Sequence, residues 1–289
     1  MTNRAVVFDV DNTLYNFVDF FAPAFRAMVH TLAHRLGVAE ATLEGAFKAV
    51  YAKYHSLEYR YAIQELSVVE GRSKEEIDQL VYSAHVAFSR SRRKRLEPYP
   101  GTAETLKWLR SAGFLVVAYT DSPVYLATNR LAALGVRPLI DFIVAWGPER
   151  SEVEEAGRHE GRPWFIDGSG TGARVLAIGS AERKPCEAVL ARIAKRLELD
   201  VSESYAVGDS LMKDLAPARS LGFVDVWAEY GRRFDEKNWA TLLRISPWHE
   251  SVVRSESGVG SVEFRPSSSI GSIGELRHVV RGPQGSFFA

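Results

Sequence analysis

Two rhythms of apolar residues run along the chain, and the switches between them predict its architecture. Ala5, Val6, Val7 and Phe8 form a short unbroken apolar run, the pattern of a strand buried on both faces of a parallel sheet. Comparable runs recur at Leu115–Tyr119, Phe142–Ala145, Tyr205–Gly208 and Phe223–Trp227. Between the first two runs the spacing changes to three and four. Phe21, Phe25, Met28, Val29, Leu32 and Leu36 stripe one helix, which Gly37 can end. Leu43, Phe47, Val50, Tyr51 and Tyr54 stripe a second. Ser73 and Glu76 form a capping box ahead of Ile77, Leu80, Val81, Ala84 and Phe88. Pro98-Tyr99-Pro100-Gly101 then breaks the helical pattern. From Thr102 onward helical stripes alternate with strands, as in Ala103, Leu106 and Leu109, then Leu126, Leu131 and Leu134, then Val189, Leu190, Ile193 and Leu197. Alternation of this kind predicts a parallel sheet with right-handed crossovers.

Composition narrows the function without naming it. The 289 residues carry 36 basic and 36 acidic side chains, so zero net charge gives no electrostatic reason to expect a nucleic acid or a charged surface as partner. The basic stretch Arg90, Arg92, Arg93, Lys94 and Arg95 is local and reads as a solvated helix end. The single cysteine, Cys186, excludes an internal disulfide and has no Cys/His pattern around it. No apolar run reaches the length of a membrane span, and the chain enters its first strand within a few residues. A cytoplasmic protein with no membrane partner is the expectation.

The candidate chemistry starts where the first strand ends, at Asp9-Val10-Asp11-Asn12-Thr13. Open α/β sheets place their ligands at the carboxyl ends of strands. Two carboxylates one residue apart repel each other unless a cation or a proton lies between them, and an oxygen-rich site suits Mg2+. Read singly, such a pair is also a turn whose side chains bond to nearby N–H groups. Three further segments change that balance. Thr120-Asp121-Ser122 follows the second strand, Arg183-Lys184-Pro185 precedes a helix, and Gly208-Asp209 ends a later strand with Asp214 five residues on.

In this order the four segments resemble the motifs of the haloacid dehalogenase-like (HAD) hydrolase superfamily, over roughly residues 4–230. The resemblance implies an α/β fold: a doubly wound, parallel-sheet, Rossmann-like core with an inserted α-helical cap of the C1 type. It implies Asp9 as nucleophile, forming an aspartyl-phosphate, and Asp11 as acid/base, protonating the leaving oxygen and then deprotonating water. Mg2+ would be held by Asp9, by Asp11 through its backbone carbonyl, and by Asp209. Asp214 would reach the metal through water or hold Lys184. Thr120, Asp121 and Lys184 would bind phosphate, with Thr120 and Lys184 counted in the catalytic set. A carboxylate at position 11 favours phosphoryl transfer over dehalogenation, because a departing halide needs no proton. The expected activity is Mg2+-dependent hydrolysis of a small phosphorylated metabolite. A phosphomutase or phosphotransferase of the same superfamily, and a non-catalytic interaction protein on this fold, are the alternatives.

The domain expectation assigns residues 1–15 and 99–254 to the core and 16–98 to the cap. Residues 147–183 form an atypical inserted loop or hairpin, with the glycine-rich stretch Asp167–Gly172 inside it. Residues 255–289 form a closing segment, with Ile270, Ile273 and Leu276 packing back on the core, followed by a flexible tail. Substrate choice would rest with the cap, where Tyr51, Tyr54, His55, Tyr59, Arg60 and Tyr61 face either the active site or a packing surface.

Overall fold

The computed structural model describes residues 2–147, 165–167, 174–246 and 264–281. Its chain divides into two compact units, one comprising Met1–Tyr15, Glu97–Arg233 and Val262–Ala289, the other Asn16–Leu96 and Phe234–Ser261.

The first unit holds the sheet. Among the described residues the strands are β1 (Arg4–Phe8), β2 (Phe114–Pro123), β3 (Phe142–Trp146), β4 (Phe165–Asp167), β5 (Arg174–Ile178), β6 (Tyr205–Gly208), β7 (Val224–Ala228) and β8 (Ser268–Ile270). They lie in the order β4-β5-β3-β2-β1-β6-β7-β8. Every pairing is parallel except β4 with β5. The apolar runs explain the arrangement, since alternate residues of one strand go to opposite faces and both must be covered. Ala5 and Val7 of β1 join Val117, Tyr119, Val144, Leu176 and Ala206 in one buried layer, which Val189, Leu190 and Ile193 close from a helix at Glu187–Arg196.

One expectation for this unit changes. Residues 147–183 are expected as an inserted loop or hairpin, and within them Arg174–Ile178 is a parallel strand of the sheet, paired residue for residue with Phe142–Trp146. A four-residue apolar run is too short to separate from a loop by periodicity, and burial against β3 decides it. Residues 165–167 add an antiparallel edge, so this part of the chain does make a hairpin. Gly168–Gly172 and residues 148–164 lie outside the described residues, as do 247–263 and 282–289.

The carboxyl-terminal segment is tied to the sheet as β8. Ile270, Ile273 and Leu276 are each 1 % exposed or less. Polar chemistry fixes the register. Asp225, fully buried on β7, receives two bonds of 2.8 Å from the Arg219 guanidinium, one of 2.9 Å from Ser267 N and one of 2.7 Å from Ser267 Oγ. Burial alone would push this carboxyl up, but the bonds from Arg219 and Ser267 outweigh it and hold it below its usual value. A depressed carboxyl stabilises the fold above its unfolded value and loses that contribution as pH falls through the folded one. Asp225→Asn is therefore expected to lower the melting temperature at neutral pH, with the gap to the parent protein shrinking below about pH 4. Thermal unfolding across a pH series measures this, and a gap independent of pH contradicts it.

The second unit is helical. Its helices are α1 (Phe17–Leu36), α2 (Glu40–Tyr54) and α3 (Lys74–Arg92), followed much later in the chain by a helix at Glu236–Ile245. Gly37 ends α1 in the left-handed region, and the capping box of Ser73 and Glu76 forms as the sequence predicts. Phe25, Phe47 and Tyr51 pack ring to ring in its interior. The basic stretch falls at and just after the end of α3.

The expected core boundary at 254 would include residues 236–245, which form this last helix. It groups instead with α1 and α2. Arg26 donates to Thr241 Oγ1 at 2.9 Å and to Asn238 Oδ1 at 2.7 Å, while Asn238 Nδ2 donates to Asp19 at 2.8 Å. Pairings between residues more than two hundred positions apart leave no periodic trace. No helix among the described residues is long and apolar enough to cross a membrane.

Candidate active site

The strand order sets where a site can form. From β1 the chain runs through β2, β3 and β5 on one side of the sheet, then crosses to β6, β7 and β8 on the other. That reversal opens a crevice at the carboxyl ends of β1 and β6. Phe8 pairs with Ala118 on one side and Val207 on the other, so Asp9, Thr120 and Asp209 emerge from three neighbouring strands at nearly one level.

Immediately after β1 the backbone turns tightly. Thr13 N and Leu14 N both donate to Val10 O, and Asn12 takes φ of 60°, a left-handed value that asparagine tolerates better than most residues. The turn aims Thr13 Oγ1 back at Asp9 Oδ2, 3.2 Å away. From the second motif Thr120 is fully buried, and its Oγ1 accepts from Ser122 N at 3.1 Å. Asp121 accepts from the backbone N–H of Lys184 at 2.9 Å, so its carboxylate anchors the lysine's loop.

Lys184 sits at the centre. Its ammonium lies 2.6 Å from Asp9 Oδ1 and 2.8 Å from Asp214 Oδ1, with a side chain only 4 % exposed. Asp214 projects from a π-helical turn over Leu211–Leu215, a wide turn often met at functional sites. Its second oxygen accepts from Ser210 N at 3.1 Å. Two glycines make the crowding possible. A Cβ on Gly208 would lie 2.4 Å from Asp214 Oδ2, and one on Gly231 would lie 2.1 Å from the Asn12 carbonyl oxygen. Trp227 Nε1 donates to Asp209 O at 3.0 Å, and Tyr230 Oη donates to Thr13 O at 2.6 Å, so the β7 side braces both aspartate loops.

The charges do not balance within this cluster. Burial works against the Lys184 ammonium, yet Asp214, Asp9 and Asp121 outweigh it and hold the lysine charged, well above its usual value. The Asp9 carboxyl is pushed up by burial, pulled down by Lys184, and pushed up again by Asp214, Asp209 and Asp11. Among the described residues, the Lys184 ammonium is thus shared by more than one carboxylate. Asp9, Asp209 and Asp214 offer carboxylate oxygens within 4.8 Å of one another, a hard, all-oxygen donor set that fits a divalent cation such as Mg2+. Asp214 had been expected to act through water or through Lys184, and it does hold Lys184.

Asp11 stands apart. Its backbone carbonyl is expected to serve the metal and its carboxyl to act as acid/base, and the carboxylate is bonded outside the Lys184 cluster. Tyr15 Oη donates to Oδ1, Arg130 Nη1 donates to Oδ1 at 3.0 Å, and Ser122 Oγ donates to Oδ2 at 3.0 Å. Arg130 was missed by the sequence reading. The signal was available: Ala127, Arg130, Leu131 and Leu134 follow helical spacing, so Arg130 occupies a core-facing position on the helix Val124–Ala133 and is only 6 % exposed. A buried arginine on an apolar stripe needs a partner, and a nearby carboxylate is the obvious one.

The tyrosines named for substrate choice have structural partners inside the helical unit. Tyr51 is 2 % exposed among phenylalanines. Tyr54 and Tyr59 stack at 3.7 Å, and both hydroxyls donate to Glu65 Oε1. Arg60 lies over the Tyr61 ring.

A doubly wound sheet that gathers strand-end aspartates around one buried ammonium is the layout of an α/β enzyme that works from carboxylates. Within that class the chain belongs to the haloacid dehalogenase-like hydrolases, whose family model matches residues 3–222. It is 26% identical over 235 residues to the glyceraldehyde 3-phosphate phosphatase of Methanopyrus kandleri, covering 80% of this chain and 86% of that one. It is also 26% identical over 228 residues to the phosphoglycolate phosphatase of Pseudomonas fluorescens, covering 79% and 70%. Among solved structures it resembles the 2-haloacid dehalogenase of Pseudomonas syringae pv. Tomato, with a TM-score of 0.58 at 18% identity over 96% and 97% of the two chains. At that identity the likeness is one of fold.

Proposed function

We propose that the protein is a Mg2+-dependent phosphatase that hydrolyses a small phosphate monoester through an aspartyl-phosphate on Asp9. The observation that carries the reading is the division of labour between two aspartates. Asp9 lies with Lys184 in the acidic cluster, while Asp11 is bonded separately by Tyr15, Ser122 and Arg130. Two carboxylates in different surroundings can serve as nucleophile and as acid/base.

In the first half-reaction an Asp9 carboxylate oxygen attacks phosphorus as the bond to the leaving oxygen breaks, and the Asp11 carboxyl gives that oxygen its proton. In the second, the Asp11 carboxylate takes a proton from water as the water oxygen attacks phosphorus, which frees inorganic phosphate and restores Asp9. Lys184 supplies positive charge to the phosphoryl oxygens, and Thr120 offers its hydroxyl to them. A magnesium ion held by Asp9, Asp209 and Asp214 would supply Lewis-acid neutralisation of the phosphoryl charge. Dehalogenation is less well served, because it makes no use of a proton-bearing group at Asp11. The names of the two curated relatives support a short-chain phosphorylated metabolite as substrate.

Purified protein with Mg2+ is expected to release inorganic phosphate from p-nitrophenyl phosphate, and faster from one member of a panel that includes glyceraldehyde 3-phosphate and 2-phosphoglycolate. Chelation should stop both. No phosphate release from any ester, or equal release in excess chelator, rejects the proposal.

A further inference from the structure

Two cations divide the carboxylates at the sheet's carboxyl end, and the second has no role in the chemistry above. Lys184 serves Asp9 and Asp214, whereas Arg130 serves Asp11. The Arg130 side chain is 5 % exposed and that of Asp11 is 25 % exposed, so a buried guanidinium reaches up to a carboxylate still open on one side. Arg130 Nη1 also donates to Ser122 Oγ at 3.1 Å, which closes a triangle of Arg130, Ser122 and Asp11. Tyr15 adds a third donor, and the Arg130 guanidinium lies 5.5 Å from the centre of the Tyr15 ring. Both carboxylate oxygens are thus held by donors from the sequence just after β1, the end of β2 and the following helix.

We infer that Arg130, acting with Tyr15 and Ser122, is a positioning residue that orients the Asp11 carboxyl for proton transfer to and from the substrate. The inference rests on the phosphatase reading and assigns a role within it. When the ester oxygen leaves, the electron pair of the P–O bond goes to that oxygen and the Asp11 proton follows it, leaving a carboxylate. Three donors already aimed at that carboxylate stabilise it with no reorganisation, which lowers the barrier to protonation. Fixing the rotamer also keeps the carboxyl away from the Asp9–Lys184–Asp214 cluster, whose ammonium would otherwise compete for it. Burying an arginine in an apolar helix face is costly, and the ion pair with Asp11 contributes to offsetting that cost.

A purely structural ion pair and a positioning pair differ in their dependence on the leaving group. Nitrophenolate departs without a proton, whereas an alkoxide requires one. In single-turnover measurements with Mg2+, Arg130→Met should slow phosphorylation of Asp9 by an alkyl phosphate about 10²-fold, within the span of lost acid catalysis. The loss with p-nitrophenyl phosphate should be at least tenfold smaller, and Arg130→Lys should recover part of the alkyl rate. Ser122→Ala, a milder change, should show the same preference to a lesser degree and gives the ratio should Arg130→Met fail to fold. Equal losses on the two esters, in either variant, overturn the inference and make Arg130 a structural partner, as does an unchanged alkyl rate. Those results leave the phosphatase reading standing, since the parent enzyme still turns over both esters. A parent enzyme inert toward both esters overturns that reading and this inference together.

Discussion

Asp9→Asn is expected to abolish turnover on every phosphate ester while leaving the fold intact. The amide has nearly the shape of the carboxylate and keeps the β1 backbone bond from Asp9 N to Val207 O. Its one amide oxygen can still accept from the Lys184 ammonium, and its NH2 can donate to Thr13 Oγ1, whose hydroxyl also accepts. What it loses is the anionic oxygen that attacks phosphorus, so no covalent intermediate forms. Replacement also removes one charge from a cluster in which neighbouring carboxylates push Asp9 up, so thermal stability should hold or rise. Rapid quench with labelled substrate, followed by hydroxylamine treatment, reads the intermediate directly. An Asp9→Asn protein that still accumulates a hydroxylamine-sensitive phosphoenzyme places the nucleophile elsewhere.

Lys184→Ala should produce the second-largest effect, on binding and stability together. The ammonium is the charge shared by Asp9 Oδ1 and Asp214 Oδ1, whose side chains are 11 % and 8 % exposed. Removing one partner of a buried ion pair typically costs about 3–5 kcal/mol, because the carboxylates left behind have lost their compensation. Vanadate, a trigonal-bipyramidal phosphoryl mimic, should bind the alanine variant much more weakly in Mg2+, since the anion then meets carboxylates without the lysine. Lys184→Arg keeps the charge and should retain more affinity, but its planar fork cannot reproduce two contacts from one compact ammonium. Added Mg2+ should raise the melting temperature of the alanine variant by restoring positive charge to the cluster. Unchanged vanadate affinity in Lys184→Ala would remove the lysine from the phosphate site.

Local sequence determined the parts of this protein whose physics is local. The strand at Ala5–Phe8 was legible because four apolar residues in a row have few other stable placements, and the turn after it because Asp9, Asp11, Asn12 and Thr13 all suit one. The capping box at Ser73 and the left-handed Gly37 depend on residues a turn apart, so their chemistry is written within one short segment. The resemblance carried Asp9, Thr120, Lys184 and Asp209 to strand or helix boundaries, and the sheet order then brought those boundaries to one crevice.

Tertiary structure decided everything that depends on which distant residues share a neighbourhood. The resemblance assigns Asp11 an acid/base role, but that its carboxylate is held by Arg130, 119 positions away, depends on how the turn after β1 and the helix Val124–Ala133 meet. Asp214 joins Asp9 and Asp209 because a π-helical turn and the absence of a Cβ on Gly208 let its carboxylate come in. Tyr54 and Tyr59 are open in the sequence to a substrate or a packing surface, and the fold gives both hydroxyls Glu65 as a partner. Arg174–Ile178 became an interior strand next to the edge, and Glu236–Ile245 a member of the helical unit, through burial against residues far away in sequence. Periodicity states that a face must be buried. The partner that buries it is chosen by the folded chain as a whole, through packing and the pairing of buried charge.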